Sequence, residues 1–424
     1  MSFFNFSLCL LGLITIFFCL SSKADLPKEK DAAFASLNQA HTSKKKKILI
    51  FSSLGGGGHI SVSRAIKTYL GDKYNITVVN TIVDPLASVD PMRGLSLKKH
   101  NGVEFYNYLI SKRLNRSINF VAKFGARMFL IQKKKIVKLL QQRVEQENPD
   151  MIVSVFPIFN FAFLDIAKKL DLPFLVVTND LDTHFYTNGI YKPNYKKFMY
   201  TIPYEDRRIR SKFASAKIPE EQIKVSGFPI RADFFEKKDK EKIRKDFNIP
   251  NNKKVIMVLM GAAGSSATYK YARRMAKMNL PIHMLLCIGR DEKTRKKLEK
   301  LKTNSNVSKS VIGFTSRISD LMAVSDLFIS KPGPNSMSEA LYMNLPMALD
   351  RILKPLRWEK LNLTFVKKNK FGSILRNYRD LKKAILNIAF NQKNNAAIRE
   401  NMKNFKKELF SKKINSFVEE MIKK

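Results

Sequence analysis

Short, nearly continuous apolar runs recur along the chain, and most of them stop at a glycine, a proline or an aspartate. Residues 47–52, 151–155, 174–178, 254–260, 283–289, 327–329 and 345–349 are of this kind. Runs this short, closed by turn-forming residues, predict buried strands rather than helices. Residues 75–83 alternate and are rich in β-branched side chains, which predicts another strand ending at Asp84-Pro85. Helical spacing follows the first run through Leu70. It returns over residues 391–424, where Ile398, Met402, Phe405, Leu409, Phe417 and Met421 fall on one face of a long amphipathic helix. Interleaved strands and helices make this an α/β chain.

Three of the strands run into loops that let a ligand approach the backbone. The first is Leu54-Gly55-Gly56-Gly57-Gly58-His59, and the second is Gly261-Ala262-Ala263-Gly264-Ser265-Ser266. The third, Lys331-Pro332-Gly333-Pro334-Asn335-Ser336, is followed by Glu339, so Ser336 and Glu339 have the spacing of a capping box. A loop that feeds a helix start offers free N–H groups and a partial positive charge, which suit a phosphate. None of the three has the G-x-G-x-x-G spacing of a dinucleotide fingerprint. Taken singly, each could be an ordinary strand–turn–helix junction.

Charge changes the picture. There are 77 Lys and Arg against 36 Asp and Glu, a net charge of +41, which points to an anionic partner: a nucleic acid or an acidic membrane. A Lys-rich codon bias gives the same excess. Residues 98–143 carry twelve of these cations and one acid, Glu104, interleaved with Phe105, Tyr106, Tyr108, Leu109, Phe120, Phe124, Met128 and Phe129. Such a segment suits an anionic bilayer, an RNA face or a solvated helix with a core stripe. Residues 3–20 are almost wholly apolar, followed by Ser22-Lys23-Ala24. They read as a membrane anchor or as a cleaved signal, and residues 25–44 as a polar linker. Lys23, Lys28 and Lys30 follow the apolar run and no cation precedes it, which favours an anchor with the rest of the chain in the cytosol. Three cysteines, two of them in the first twenty residues, build neither a disulfide framework nor a zinc site.

In order along the chain, the first glycine loop with His59, Asp180 and His184 with three residues between them, Gly227-Phe228-Pro229-Ile230-Arg231, the loop at Gly261, Gly313-Phe314, the turn at Lys331 with Glu339, and Glu359 with Asn362 resemble one family. It is that of the plant monogalactosyldiacylglycerol synthases and bacterial processive diacylglycerol glucosyltransferases, related to the peptidoglycan N-acetylglucosaminyltransferase. The resemblance implies the GT-B glycosyltransferase fold, two facing Rossmann-like domains. Residues 45–230 are then the acceptor and membrane-side domain, 231–390 the UDP-sugar domain, and 391–424 a helix that crosses back.

It further implies an inverting transfer of a hexose from UDP-hexose to a lipid alcohol such as diacylglycerol, with no cofactor, no metal and no nucleic acid. The catalytic candidates are His59, Asp180 and His184, beside the acceptor-side loop of Gly56, Gly57 and Gly58. The donor candidates are Gly261, Gly264, Ser265, Phe314, Lys331, Gly333, Pro334, Asn335, Ser336, Glu339, Glu359 and Asn362. The sequence departs from the family pattern where plant members place an Asp just before the glycines, here Leu54 or Gly55. It departs also at Thr187 for Trp, Ala262 for Gly and Trp358 for Gln. Other enzymes on the same scaffold, taking a polyprenyl-linked sugar or a sugar nucleotide, and a basic nucleic-acid-binding protein are the alternatives. The sugar and the number of sugars added stay open.

Overall fold

The computed structural model describes residues 38, 45–55, 57–95, 100–111, 114–261 and 266–423. The apolar segment 1–24, nearly all of the 25–44 linker, Gly56, Gly264 and Ser265 lie outside them. Among the described residues no helix is long and apolar enough to cross a membrane.

The apolar runs form two six-stranded sheets, parallel throughout. The first has the order β2-β1-β3-β4-β5-β6. Its strands are β1 (Lys47–Ser52), β2 (Asn75–Asn80), β3 (Met151–Ser154), β4 (Phe174–Val177), β5 (Phe198–Ile202) and β6 (Ile223–Val225). The second has the order β12-β11-β10-β7-β8-β9. It holds β7 (Lys254–Leu259), β8 (Ile282–Gly289), β9 (Val307–Gly313), β10 (Leu327–Ser330), β11 (Met347–Asp350) and β12 (Gly372–Leu375). Helices cover both faces of a parallel sheet, so the strands lose their polar side, and Ile48 to Phe51 are wholly buried.

Strand order reverses between β1 and β3 in one sheet and between β7 and β10 in the other. Loops that leave neighbouring strands on opposite sides open a crevice at such a point, where α/β proteins bind ligands. The first glycine loop and Val155 flank one crevice. Gly261, two residues past the end of β7, and the Lys331 turn flank the other.

The helices that matter here are α1 (Gly58–Leu70), α2 (Gly102–Ser111), α3 (Asn115–Ile131), α4 (Lys133–Glu147), α5 (Ser266–Met275), α6 (Pro334–Tyr342), α7 (Gln392–Asn404) and α8 (Phe410–Lys423). The basic stretch 98–143 thus becomes α2, α3 and most of α4.

Three local expectations are corrected. The strand expected over 75–83 ends at Asn80, where turns begin. The single terminal helix is two, because residues 405–409 cross between the domains. There Phe405 packs among Tyr204, Phe365 and Phe371, and Tyr342 donates its hydroxyl to the Glu408 carbonyl. Gly227, at φ 78°, lies against that carbonyl, so the interdomain link and the crossing segment close on each other. Beyond the crossing, α8 buries Phe410, Ile414, Val418 and Met421 with Ile60, Ile66 and Val78 of the first domain. Finally, Ser336 does not cap its helix. Pro334 takes the first helical position and Gly333 the cap, with no side-chain cap bond. Proline suits that position because its missing N–H would have no partner there.

Candidate functional site

On the acceptor side, β1 delivers the chain into the glycine loop. Gly57 sits at φ 84°, a conformation that favours glycine, and Gly58 begins α1. His59 follows, half-buried, with Phe156 against its ring at 5.3 Å. Its Nδ1 is 2.7 Å from the Val155 carbonyl oxygen, and the Asn179 amide nitrogen lies beside it at 3.2 Å. Two lone pairs would repel at 2.7 Å, so Nδ1 carries the hydrogen and Nε2 keeps its lone pair. Burial pushes the imidazole down to about 4, against a smaller upward pull from the Val155 carbonyl. The ring is therefore neutral at pH 7, with one nitrogen ready to accept a proton.

Asp180 follows Asn179 past the end of β4. Burial lifts its carboxyl to about 7, the Glu359 and Asp182 carboxylates add to the rise, and Lys331 opposes it. His184 is placed elsewhere. It lies in a short turn that Asp182 caps by accepting from the His184 N–H at 3.2 Å. Its ring lines a separate recess with Asn119, Lys123, Asp182, Phe185, Arg357 and Trp358, which neither His59 nor Asp180 lines.

On the donor side, the Lys331 side chain lies across both glycine turns. A Cβ at Gly261 would stand 3.4 Å from its Cε, and one at Gly333 3.3 Å. Its Nζ reaches Glu359 Oε1 at 3.0 Å, and Glu359 Oε2 accepts from the Leu356 N–H at 3.1 Å. Asn362 donates from Nδ2 to the Pro332 carbonyl at 2.7 Å. Glu359 and Asn362 are both buried. Here they hold Lys331 and the 331–334 turn in place. The N–H groups of Asn335 and Ser336 head α6, where no intrahelical acceptor exists.

The two halves meet at this point. Asn335 Nδ2 is 3.4 Å from the Gly58 carbonyl oxygen, and a Cβ on Gly58 would come 3.1 Å from Asn335 Oδ1. The start of α6 therefore faces the loop that carries His59. One turn further along α6, the half-buried Glu339 carboxylate takes no hydrogen bond or ion pair among the described residues. Burial raises it to about 7, with Arg231 pulling it down and Asp233 pushing it up. A half-buried carboxylate without a partner has room to accept from a ligand. Phe314 is 60% exposed beyond β9, with the Arg290 guanidinium 4.6 Å from its ring centre.

One residue at this junction had no signal of its own. Tyr106 on α2 reads in the sequence as part of an aromatic stripe. In the fold its ring carbons lie 3.5 Å from where a Gly55 Cβ would be. Burial, then Glu359, then Asp180 hold its phenol well above the usual range.

Residues 255–414 match the glycosyltransferase family 28 C-terminal domain. Over 369 residues the chain is 24% identical to the processive diacylglycerol beta-glucosyltransferase of Bacillus pumilus, covering 84% of this chain and 90% of that protein. The fold is similar to that of Acinetobacter baumannii MurG, with a TM-score of 0.57 at 11% identity over 89% of this chain and 99% of the other. It is also similar to a UDP-glucosyltransferase from Polygonum tinctorium, with a TM-score of 0.60 at 11% identity over 91% of this chain and all (100%) of the other. These matches bear out the resemblance drawn from the motifs and the two-domain GT-B architecture it implies.

Proposed function

We propose that this glycosyltransferase, which works from a nucleotide sugar, moves a hexose from UDP-hexose to the hydroxyl of a membrane lipid, diacylglycerol first among them. The named activity of the Bacillus pumilus relative supports the lipid acceptor. The observation that carries the reading is the contact of Asn335 with Gly58, which sets a phosphate-type helix start against the loop that carries His59.

The donor would lie in the second domain. Glu339 accepts from the two ribose hydroxyls. The diphosphate meets the free N–H groups at the head of α6, with Lys331, whose side chain lies against both Gly261 and Gly333, beside them. The lipid hydroxyl comes from the first domain and gives its proton to His59 Nε2. Its oxygen forms a bond to the anomeric carbon on the face away from the diphosphate. The bond from that carbon to the phosphate oxygen breaks through an oxocarbenium-like state, and its electron pair leaves on UDP. Inversion follows from attack opposite the leaving group. Preorganised N–H dipoles and Lys331 stabilise the departing charge without help from a metal ion. Asp180 is the alternative base, and its elevated carboxyl makes pH the means of telling the two apart.

The membrane contact would be made by α3 and α4. Phe124 and Ile131 are exposed there, at 38% and 76%, beside exposed Lys123, Arg127, Lys134 and Lys135. The catalytic domains then work on the cytosolic face, where the donor is made.

The test is direct. The purified chain is incubated with diacylglycerol in anionic vesicles and radiolabelled UDP-glucose or UDP-galactose, and the organic phase is counted. Label should enter the lipid with one of the two donors and be lost in His59→Ala. Absence of lipid label with both donors refutes the proposal.

A further inference from the structure

The helix α2 belongs to the basic, aromatic stretch that reads as a membrane contact, yet its position is fixed from inside the protein. At its start Asn101 and Glu104 cap each other. The Asn101 N–H donates to Glu104 Oε2 at 3.1 Å, and the Glu104 N–H donates to Asn101 Oδ1 at 3.0 Å. The buried Asp90 accepts from the Gly102 N–H through Oδ2 at 2.6 Å and from the Met92 N–H through Oδ1 at 3.0 Å. Phe105 and Leu109 are buried with Met92, Ile118 and Leu356, and Tyr106 and Trp358 pack on this cluster. Leu356 and Trp358 come from the second domain, three residues and one residue before Glu359. One helix of the first domain is thus seated against the loop that holds the donor-side lysine.

Tyr106 faces inward from this helix. Its ring lies on Gly55 of the first glycine loop, and Asn107 beside it donates to the Leu54 carbonyl at 3.4 Å. Its hydroxyl takes no hydrogen bond among the described residues. The carboxylates that act on that hydroxyl are Glu359 from the donor domain and Asp180 from the acceptor domain. A half-buried phenol between the two halves of a cleft, with no partner of its own, keeps a donor hydrogen for whatever enters. A residue kept only for packing needs the ring and not the oxygen.

We propose that Tyr106 is a further catalytic residue. Its hydroxyl donates a hydrogen bond to the oxygen of the incoming lipid alcohol and holds that oxygen in line for attack, while His59 takes its proton. This rests on the transfer reaction proposed above, and it makes α2 the acceptor-side wall of the site.

The experiment compares wild type with Tyr106→Phe and Tyr106→Ala, using diacylglycerol vesicles and saturating UDP-hexose. Tyr106→Phe keeps the ring on Gly55, so thermal stability and donor affinity should stay at wild-type values. Its kcat should fall about 10- to 100-fold, the loss expected for one hydrogen bond made to the reacting atom. Tyr106→Ala should lose that activity and stability as well. A Tyr106→Phe variant with wild-type kcat beside an active wild type overturns this inference alone. A wild type that labels no lipid overturns the functional reading and this inference with it.

Discussion

Replacing Glu339 by Gln separates two effects of one half-buried carboxyl. Burial lifts that group from 4.5 to about 7. Its ionised form is the one that accepts two ribose hydroxyls well, so donor affinity should be full above about pH 8. It should then weaken by about tenfold per pH unit below 7, since one unit corresponds to about 1.4 kcal/mol. Hydrogen bonds to a charged acceptor are worth roughly 1.5–3 kcal/mol each. An amide keeps one acceptor oxygen but no charge, so Glu339→Gln should weaken donor binding about 10- to 100-fold at pH 8 and leave it flat with pH.

Stability moves the other way. A carboxyl raised in the folded state favours folding most below its unfolded value of 4.5, and that contribution is lost as pH rises through about 7. The full effect is at most about 3 kcal/mol, and less because the group is half-exposed. The Gln variant should therefore melt higher than wild type at pH 8, with a smaller gain at pH 5. Calorimetric titration with a non-transferable UDP-hexose analogue from pH 5.5 to 8.5, beside thermal melts, reads both effects. Donor affinity of wild type that is flat across this range, or unaltered in Glu339→Gln, refutes the assignment.

Three further outcomes follow from the same geometry. At saturating donor, His59 as the base predicts a kcat that holds from pH 8 down to near 5 and falls only toward about 4, because a base must be deprotonated. A tenfold fall per unit below about 7 would transfer the role to Asp180. Gly227→Ala puts a methyl into the Glu408 carbonyl at a positive φ, so thermal unfolding should show a loss of about 3 kcal/mol or more. A variant that melts like wild type would mean that the crossing segment does not close on the link. Flotation with anionic vesicles should capture the chain at low salt and release it at high salt, and Ile131→Asp should weaken capture. Equal capture by neutral vesicles would rule out the charge contribution of α3 and α4.

Strands buried on both faces were the most legible part of the chain, because helices cover both sides of a parallel sheet and leave continuous apolar runs. β1, β3, β4, β7, β10 and β11 all show this. β6 and β12 are three and four residues long and sit at the sheet edges, and nothing in their pattern marks them. The glycine loops were legible for a similar reason, since only a few residue types allow such turns. Ser336 misled because Pro334 sets the helix start two residues earlier than the hydroxyl would. The break at 405–409 has no glycine or proline to announce it. It arises from tertiary contacts, Phe405 among three aromatic rings and Glu408 against Tyr342. His184 shared a motif with Asp180, but the intervening turn carries it into another recess. Tyr106 was hidden by its own stripe: it read as one more aromatic residue of that stripe until the fold laid its ring on the first glycine loop.

The most direct measurement is the anomeric configuration of the product. Proton NMR of the lipid formed from α-linked UDP-hexose and diacylglycerol should show a β-linked hexose on the glycerol hydroxyl. An α-linked product, or hexose released to water with no glycolipid formed, would contradict the account of a lipid hydroxyl attacking across the cleft from His59.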